Sequence, residues 1–174
     1  MSGVVSYSGA PILAGEQMQP LESAALIVEA GRILGLGEPP VGSEVIDLPG
    51  RLLCPMFIDS HTHIGDTGAK DLGIGLTLEE SVQLPNGLKH RFLASLDHDA
   101  QVAMMRHGML EMLRNGIIAF ADFREQSLEG ARRLRQAAEG LPIEAVIMGR
   151  LTENLPFEQA VAEAESLLDV ANGL

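Results

Sequence analysis

From Arg51 onward, short apolar runs alternate with longer segments of helical periodicity. The runs cover Leu52 to Ile58, Ile117 to Phe123 and Ile143 to Met148, and each is typical of a strand buried on both faces. Alternation of this kind predicts right-handed βαβ units around a parallel sheet. The glycine fingerprints of dinucleotide-binding and phosphate-binding loops are missing, so the pattern favours the start of a (β/α)8 barrel over a doubly wound sheet.

Capping signals predict where the helices lie. Thr77 and Glu80 have the spacing of a capping box, and Asn115-Gly116 is a common helix end. We expect four helices: about 77–83, from Asp97 or Asp99 to Asn115, from Ser127 to about Gly140, and from Leu155-Pro156 to about Leu168.

The first fifty residues have a different character, because Gly and Pro interrupt short apolar runs. Ala24 to Glu29 and Arg32 to Leu36 are candidate strands joined by a tight hairpin at Ala30-Gly31, and Val45 to Leu48 is a third. Together they predict a small antiparallel β lobe that buries little apolar surface alone. We therefore expect two domains, a β lobe over residues 1–50 and a β/α part over residues 51–174.

Composition narrows the class of protein. Twelve Lys and Arg oppose 24 Asp and Glu, for a net charge of −12, and such a balance repels the phosphate backbone of a nucleic acid. The single cysteine, Cys54, fits a reducing compartment. Neither a signal peptide nor an apolar run of membrane-spanning length is evident. We expect an acidic cytoplasmic protein with no nucleic-acid or membrane partner.

The strongest chemical feature is Asp59-Ser60-His61-Thr62-His63, at the end of the first apolar run. Residues two apart in a strand point to the same side, so His61 and His63 can share one metal ion. Asp59 lies one step deeper on that face and could accept a ring N–H from a ligating histidine. Chance gives this pattern about 0.007 times in such a chain, which favours a metal site over two hydrogen-bonded loop histidines.

The segment MFIDSHTHIGD, preceded by EVIDLPGRLLCP, resembles the amidohydrolase superfamily of metal-dependent hydrolases, and residues 115–123 resemble its second barrel strand. The resemblance implies a small β-sandwich-like lobe followed by a TIM-type (β/α)8 barrel. It also implies hydrolysis or deamination of a non-peptide C–N bond in a small-molecule substrate, with His61 and His63 binding a divalent metal. Two imidazoles suit zinc. Met56 departs from the family, which usually has Gly there.

Residues 51–174 are fewer than the roughly 200–250 that a barrel needs. We therefore expect only the first three β/α units, the amino-terminal portion of such an enzyme. Lys70 and Lys89 lie in the loop-rich segment after the first strand, so neither can be the family's fourth-strand lysine. The catalytic proton-shuttling Asp is expected beyond Leu174, and the chain alone is expected to be inactive. The alternative is a non-catalytic binding or assembly module that keeps the fold.

Further candidates for substrate binding follow the strands. Asp66 comes soon after the histidines, with an Asx-turn as the alternative. Asp122, Arg124 and Glu125 end the second strand and are expected to face the same mouth, although a salt bridge from Arg124 to a neighbouring acid is the better interpretation of that side chain. An unclosed sheet also predicts a homo-oligomer or a complementary chain over the open barrel.

Overall fold

The computed structural model describes residues 3–174. The chain divides into two compact units, one extending to Pro55 and the other covering Met56–Leu174. The boundary predicted from the sequence lies after residue 50.

The first unit is built from strands. They are β1 (Val4–Ser8), β2 (Ile12–Ala14), β3 (Gln19–Leu21), β4 (Ala25–Glu29), β5 (Arg32–Gly37) and β6 (Glu44–Asp47). Four form a sheet in the order β5-β4-β1-β6, and β2 pairs with β3. The predicted hairpin is confirmed, with positive φ angles at Ala30 and Gly31. The prediction that the lobe is purely antiparallel is wrong, because β1 pairs in parallel with β6.

The second unit alternates strands and helices as predicted. Its elements are β7 (Phe57–Thr62), a 3₁₀ segment (Ile64–Ala69), α1 (Leu78–Val82), α2 (Leu88–Ser95), α3 (His98–Arg114), β8 (Ile117–Arg124), α4 (Ser127–Ala138), β9 (Glu144–Gly149) and α5 (Phe157–Leu168). The sheet is parallel in the order β7-β8-β9. Across residues 3–174, no helix has both the length and the apolar character needed to cross a bilayer.

Two of the predicted helix starts are confirmed. Thr77 and Glu80 form a complete capping box before α1, and the Asp97 carboxylate accepts the Ala100 N–H, at 2.8 Å, at the start of α3. The start of α4 differs from the expectation. Gln126 occupies its N-cap position with a left-handed φ of 67°, and the Ser127 hydroxyl donates instead to Glu163.

The core of the second unit lies where the helices pack on one face of the sheet. Phe120 of β8 and Ile147 of β9 are buried there with Met109 of α3, Leu134 of α4 and Leu167 of α5. Their relative exposures are 0–1%. Burial of apolar side chains is the main stabilising contribution at such a layer, so the sheet has one well-covered face.

The first apolar run folds differently from its prediction. Leu53 bonds to Pro11 and Leu13 within the first unit, and β7 begins only at Phe57. Phe57 and Ile58 are 60% and 71% exposed, because among the described strands β7 has a partner on one side only. The prediction of a strand from Leu52 to Ile58 that is buried on both faces is therefore wrong.

Candidate metal centre

The two histidines meet at the carboxyl end of β7. His61 lies within the strand and His63 directly follows it. Their ring centroids are 5.4 Å apart, with the ring planes inclined at 68°. Both residues are exposed. The alternation of side chains along the strand thus brings two imidazoles to one face of the sheet, as the spacing predicts.

His61 is held by two contacts. Its ring stacks on Phe123 of β8, with centroids 4.4 Å apart and planes inclined at 28°. Its backbone N–H donates to the Asp59 carboxylate at 3.2 Å. Asp59 therefore supports the backbone of the first histidine, and the contact with a ring N–H that we expected stays a prediction.

His63 is oriented by one acceptor at the end of β8 and one directly after it. Its Nδ1 lies 3.0 Å from the Phe123 carbonyl oxygen and 3.0 Å from Glu125 Oε1. A carbonyl oxygen can only accept, so Nδ1 carries a hydrogen, and in the neutral ring the lone pair is then on Nε2. Metal-ligating histidines usually have this arrangement, in which the other ring nitrogen donates to a carbonyl or carboxylate. The donor set therefore fits a zinc ion, for which imidazole nitrogen is a common ligand.

Within residues 3–174, no three His, Cys, Asp or Glu side chains are grouped closely enough to hold a metal ion. Catalytic zinc sites use three protein ligands and one open position. Within the part of the chain that the structure describes, His61 and His63 would therefore supply only part of such a ligand set.

Asp122 and Arg124 lie behind the sheet rather than at its mouth. Phe123 faces His61, so its two neighbours point to the helix side, where they are 0% and 1% exposed. Arg124 Nη1 lies 3.3 Å from Asp122 Oδ1. The expectation that both side chains face the mouth is wrong. Arg124 instead forms the salt bridge to a neighbouring acid that the sequence analysis gave as its better interpretation.

The Asp122 carboxylate joins the ends of β7 and β8. Its Oδ2 accepts the Thr62 hydroxyl at 3.1 Å and the Ile64 N–H at 2.5 Å. Burial raises the pKa of Asp122, although Arg124 and these two donors act in the opposite direction. Asp122 thus holds the side chain of the residue before His63 and the backbone of the residue after it.

Glu125 lies between the histidine and two cations. Its Oε2 accepts from Arg124 Nη2 at 2.5 Å, and its Oε1 contacts Lys89 Nζ as well as His63. Burial raises the pKa of Glu125, but Arg124 and Lys89 outweigh it, and the net direction is downward. The group is 7% exposed, so an ionised carboxylate is retained beside the imidazole by its paired cations.

Lys89 is the residue of this site that sequence reasoning missed. It lies in α2, which was not predicted, and is 8% exposed. Besides Glu125 it contacts Asp66 Oδ2 at 3.2 Å, and this ion pair gives Asp66 a partner. The available signal was a lysine that lies between candidate acids in the sequence. No local pattern indicated that it would contact Glu125, which directly follows β8.

An open cleft of about 650 Å³ adjoins the histidines. Asp59, His61, His63, Asp66 and Lys89 are among its lining residues. Clefts of this volume accommodate small-molecule ligands.

The second unit is thus a parallel β/α sheet with two histidines at the carboxyl end of its first strand. Residues 52–173 match the Amidohydrolase family, and the chain belongs to that family.

Two curated relatives illustrate the similarity. A putative aminohydrolase of Methanothermobacter thermautotrophicus is 39% identical over 155 residues, which cover 88% of this chain and 40% of the relative. A 5-methylthioadenosine/S-adenosylhomocysteine deaminase of Halobacterium salinarum is 31% identical over 143 residues, covering 82% of this chain and 32% of the relative. The chain thus spans less than half the length of the relatives that it matches.

Solved structures share the fold. Guanine deaminase from C. acetobutylicum with bound guanine superposes with a TM-score of 0.70 at 13% identity, covering all of this chain and 45% of that one. Atrazine chlorohydrolase from Arthrobacter aurescens TC1 complexed with zinc gives 0.67 at 20% identity, covering 95% and 42%. The mixed α/β fold of the chain is therefore that of part of such enzymes.

Proposed function

We propose that this chain supplies the two-histidine part of a zinc centre in a hydrolase that cleaves a non-peptide C–N bond of a small molecule, by hydrolysis or deamination. The observation that carries the proposal is the pairing of His61 with a His63 whose Nδ1 is occupied by acceptors. Relatives described as an aminohydrolase and a deaminase support the reaction class, and a neighbour that binds zinc supports the metal.

Each residue at the site has a part in this function. His61 and His63 would hold the metal, which when bound supplies Lewis-acid activation of water. Phe123 fixes the ring of His61 by stacking and accepts the Nδ1 hydrogen of His63 through its carbonyl oxygen. The cleft beside the two histidines would give a small substrate access to them.

The His61→Ala/His63→Ala double variant tests the metal proposal. Two protein ligands bind zinc more weakly than a complete set, and we expect the double variant to abolish that weak binding. Chelator competition against a zinc-sensitive dye measures it. The matched control is His98→Ala/His107→Ala, which removes two exposed histidines of α3 and should leave binding unchanged. Zinc binding that survives the loss of His61 and His63 would place the site elsewhere.

We also propose that the 174-residue chain alone gives no specific turnover, because a catalytic zinc site uses three protein ligands. Release of ammonia from a panel of aminated purines and pyrimidines, with zinc added, measures this. Turnover that is lost in the His61→Ala/His63→Ala variant would contradict the prediction and establish a complete active site. Zinc binding without turnover is also what a non-catalytic binding module would give. Activity of a longer chain that contains the same residues would favour the hydrolase over the binding module.

A further inference from the structure

The acceptors around His63 extend into a buried group of charges. His63 Nδ1 lies 3.0 Å from Glu125 Oε1, and the two carboxylate oxygens of Glu125 are each held by a cation. Lys89 contacts Oε1 and Arg124 Nη2 lies 2.5 Å from Oε2. The side chains of Lys89 and Arg124 are 9% and 1% exposed, so solvent screens these contacts little.

This arrangement leaves the carboxylate of Glu125 little freedom to rotate. Each cation is held in turn by a second acid. Arg124 Nη1 lies 3.3 Å from Asp122, and Lys89 Nζ lies 3.2 Å from Asp66. A carboxylate anchored at both oxygens presents its acceptor to the imidazole from one fixed direction, and an ionised acceptor binds an N–H more strongly than the neutral carbonyl of Phe123 does.

We infer that Glu125 is the positioning residue of this site, and that Lys89 and Arg124 hold it there. Glu125 keeps the hydrogen of His63 on Nδ1 and so presents Nε2 to a metal ion. The benefit of this arrangement to metal binding rests on the proposed zinc centre. The position of the hydrogen on the ring can be tested separately, in metal-free protein. Asp59 bonds the His61 backbone, so the orienting role passes from Asp59 to an acid that directly follows the neighbouring strand.

The test uses Glu125→Gln, which keeps the size of the side chain and removes its charge. Nitrogen-15 NMR of the imidazoles, in metal-free protein at a pH where they are neutral, reports which ring nitrogen carries the hydrogen. We expect His63 to be almost entirely the Nδ1–H form in the natural protein. In the variant we expect a larger share of the Nε2–H form, because the Phe123 carbonyl and the glutamine amide are neutral and accept an N–H less strongly than the ionised carboxylate does. Outer-shell substitutions weaken metal binding by about 10–100-fold, so we expect at least a tenfold loss of zinc affinity.

The matched control is Glu129→Gln on α4, whose carboxylate is half-exposed and pairs with His98 and Arg133. It should change neither readout. An unchanged ring form of His63 in Glu125→Gln overturns the inference, even if zinc affinity falls, since Glu125 would then act through its charge alone.

If Glu125→Gln does not fold, Glu125→Asp decides. It keeps the charge that Lys89 and Arg124 need but withdraws the carboxylate by one methylene, and we expect the same change in the ring with about a tenfold loss of zinc affinity. No change in the ring overturns the inference. Should neither protein bind zinc at all, the zinc proposal fails, while the metal-free spectrum still decides the role of Glu125.

Discussion

Gly130 lies in the first turns of α4, against the backbone of the residue that orients His63. A Cβ atom built at this position would overlap the carbonyl oxygen of Glu125. The obstacle is backbone rather than the end of a flexible side chain, so it cannot rotate away. The absence of a side chain at Gly130 is therefore what lets the segment after β8 approach the helix closely enough to place Glu125.

Gly130→Ala should lower the free energy of unfolding by about 1–3 kcal/mol, the usual cost of overpacking a buried contact. Urea denaturation followed by circular dichroism measures the change. The control is Gly73→Ala, where the added carbon would meet Ser81 Oγ at 3.7 Å, an ordinary van der Waals distance. Equal denaturation midpoints for the two variants would contradict the packing argument.

Among the elements, α5 is linked to two other segments of the second unit by one carboxylate, in addition to the packing of Leu167 in the core. Glu163 accepts the Thr152 N–H at 2.9 Å and the Thr152 hydroxyl at 2.7 Å, and it also accepts the Ser127 hydroxyl. The Ser127 hydrogen bond contributes most to lowering the pKa of Glu163; burial opposes it, and the two Thr152 hydrogen bonds lower the pKa further. This side chain connects the helix to the segment after β9 and to the start of α4.

Glu163→Gln should destabilise the protein more at pH 7 than at pH 3. A folded-state pKa below the unfolded value gives stability that is present above the unfolded pKa and is lost as the pH falls through the folded one. The site is partly exposed, so we expect a loss of only about 0.5–1.5 kcal/mol at pH 7. Urea denaturation at the two pH values measures it.

The control for this experiment is Glu165→Gln, an exposed residue of the same helix. It removes the same charge from α5 but leaves the Ser127 and Thr152 hydrogen bonds of Glu163 in place. The explanation fails if the two variants respond to pH alike.

Local pattern predicted those elements whose signals lie within a few residues. The apolar run Ile117 to Phe123 became β8 almost without change, and the alternation of a strand predicted that His61 and His63 share a face. The start of β7 was misplaced because Leu53 pairs with residues near Pro11, a distant partner. The orientation of His63 depends on Phe123 and Glu125, which the β7–β8 register brings near, so no local pattern could indicate it.

At the scale of the whole molecule, the helices cover one face of the β7-β8-β9 sheet and leave apolar groups exposed elsewhere. Phe57 and Ile58 of β7 are 60% and 71% exposed, and Phe123 of β8 is 40% exposed. Strand edges with exposed apolar side chains pair with other chains. This surface is the physical reason for predicting a homo-oligomer.

We expect the 174-residue chain to self-associate at micromolar concentration, through an interface of about 2,000 Å² or more if the contact is obligate. Multi-angle light scattering measures the mass. Ile58→Lys should shift the population toward the monomer, because a charge at the interface must be desolvated. The control is Ile33→Lys, at a position 68% exposed in the first unit. A stable monomer of the natural sequence would contradict the prediction.

The hydrogen bond from the Ile64 N–H to Asp122 has a further consequence. The donor follows His63 directly, Ile64 is 3% exposed, and the acceptor lies on the neighbouring strand 2.5 Å away. An amide held in this way exchanges its hydrogen with heavy water only when the surrounding structure opens. The exchange rate of this single amide therefore reports how often the ends of β7 and β8 separate, and it does so in protein that carries neither metal nor substrate.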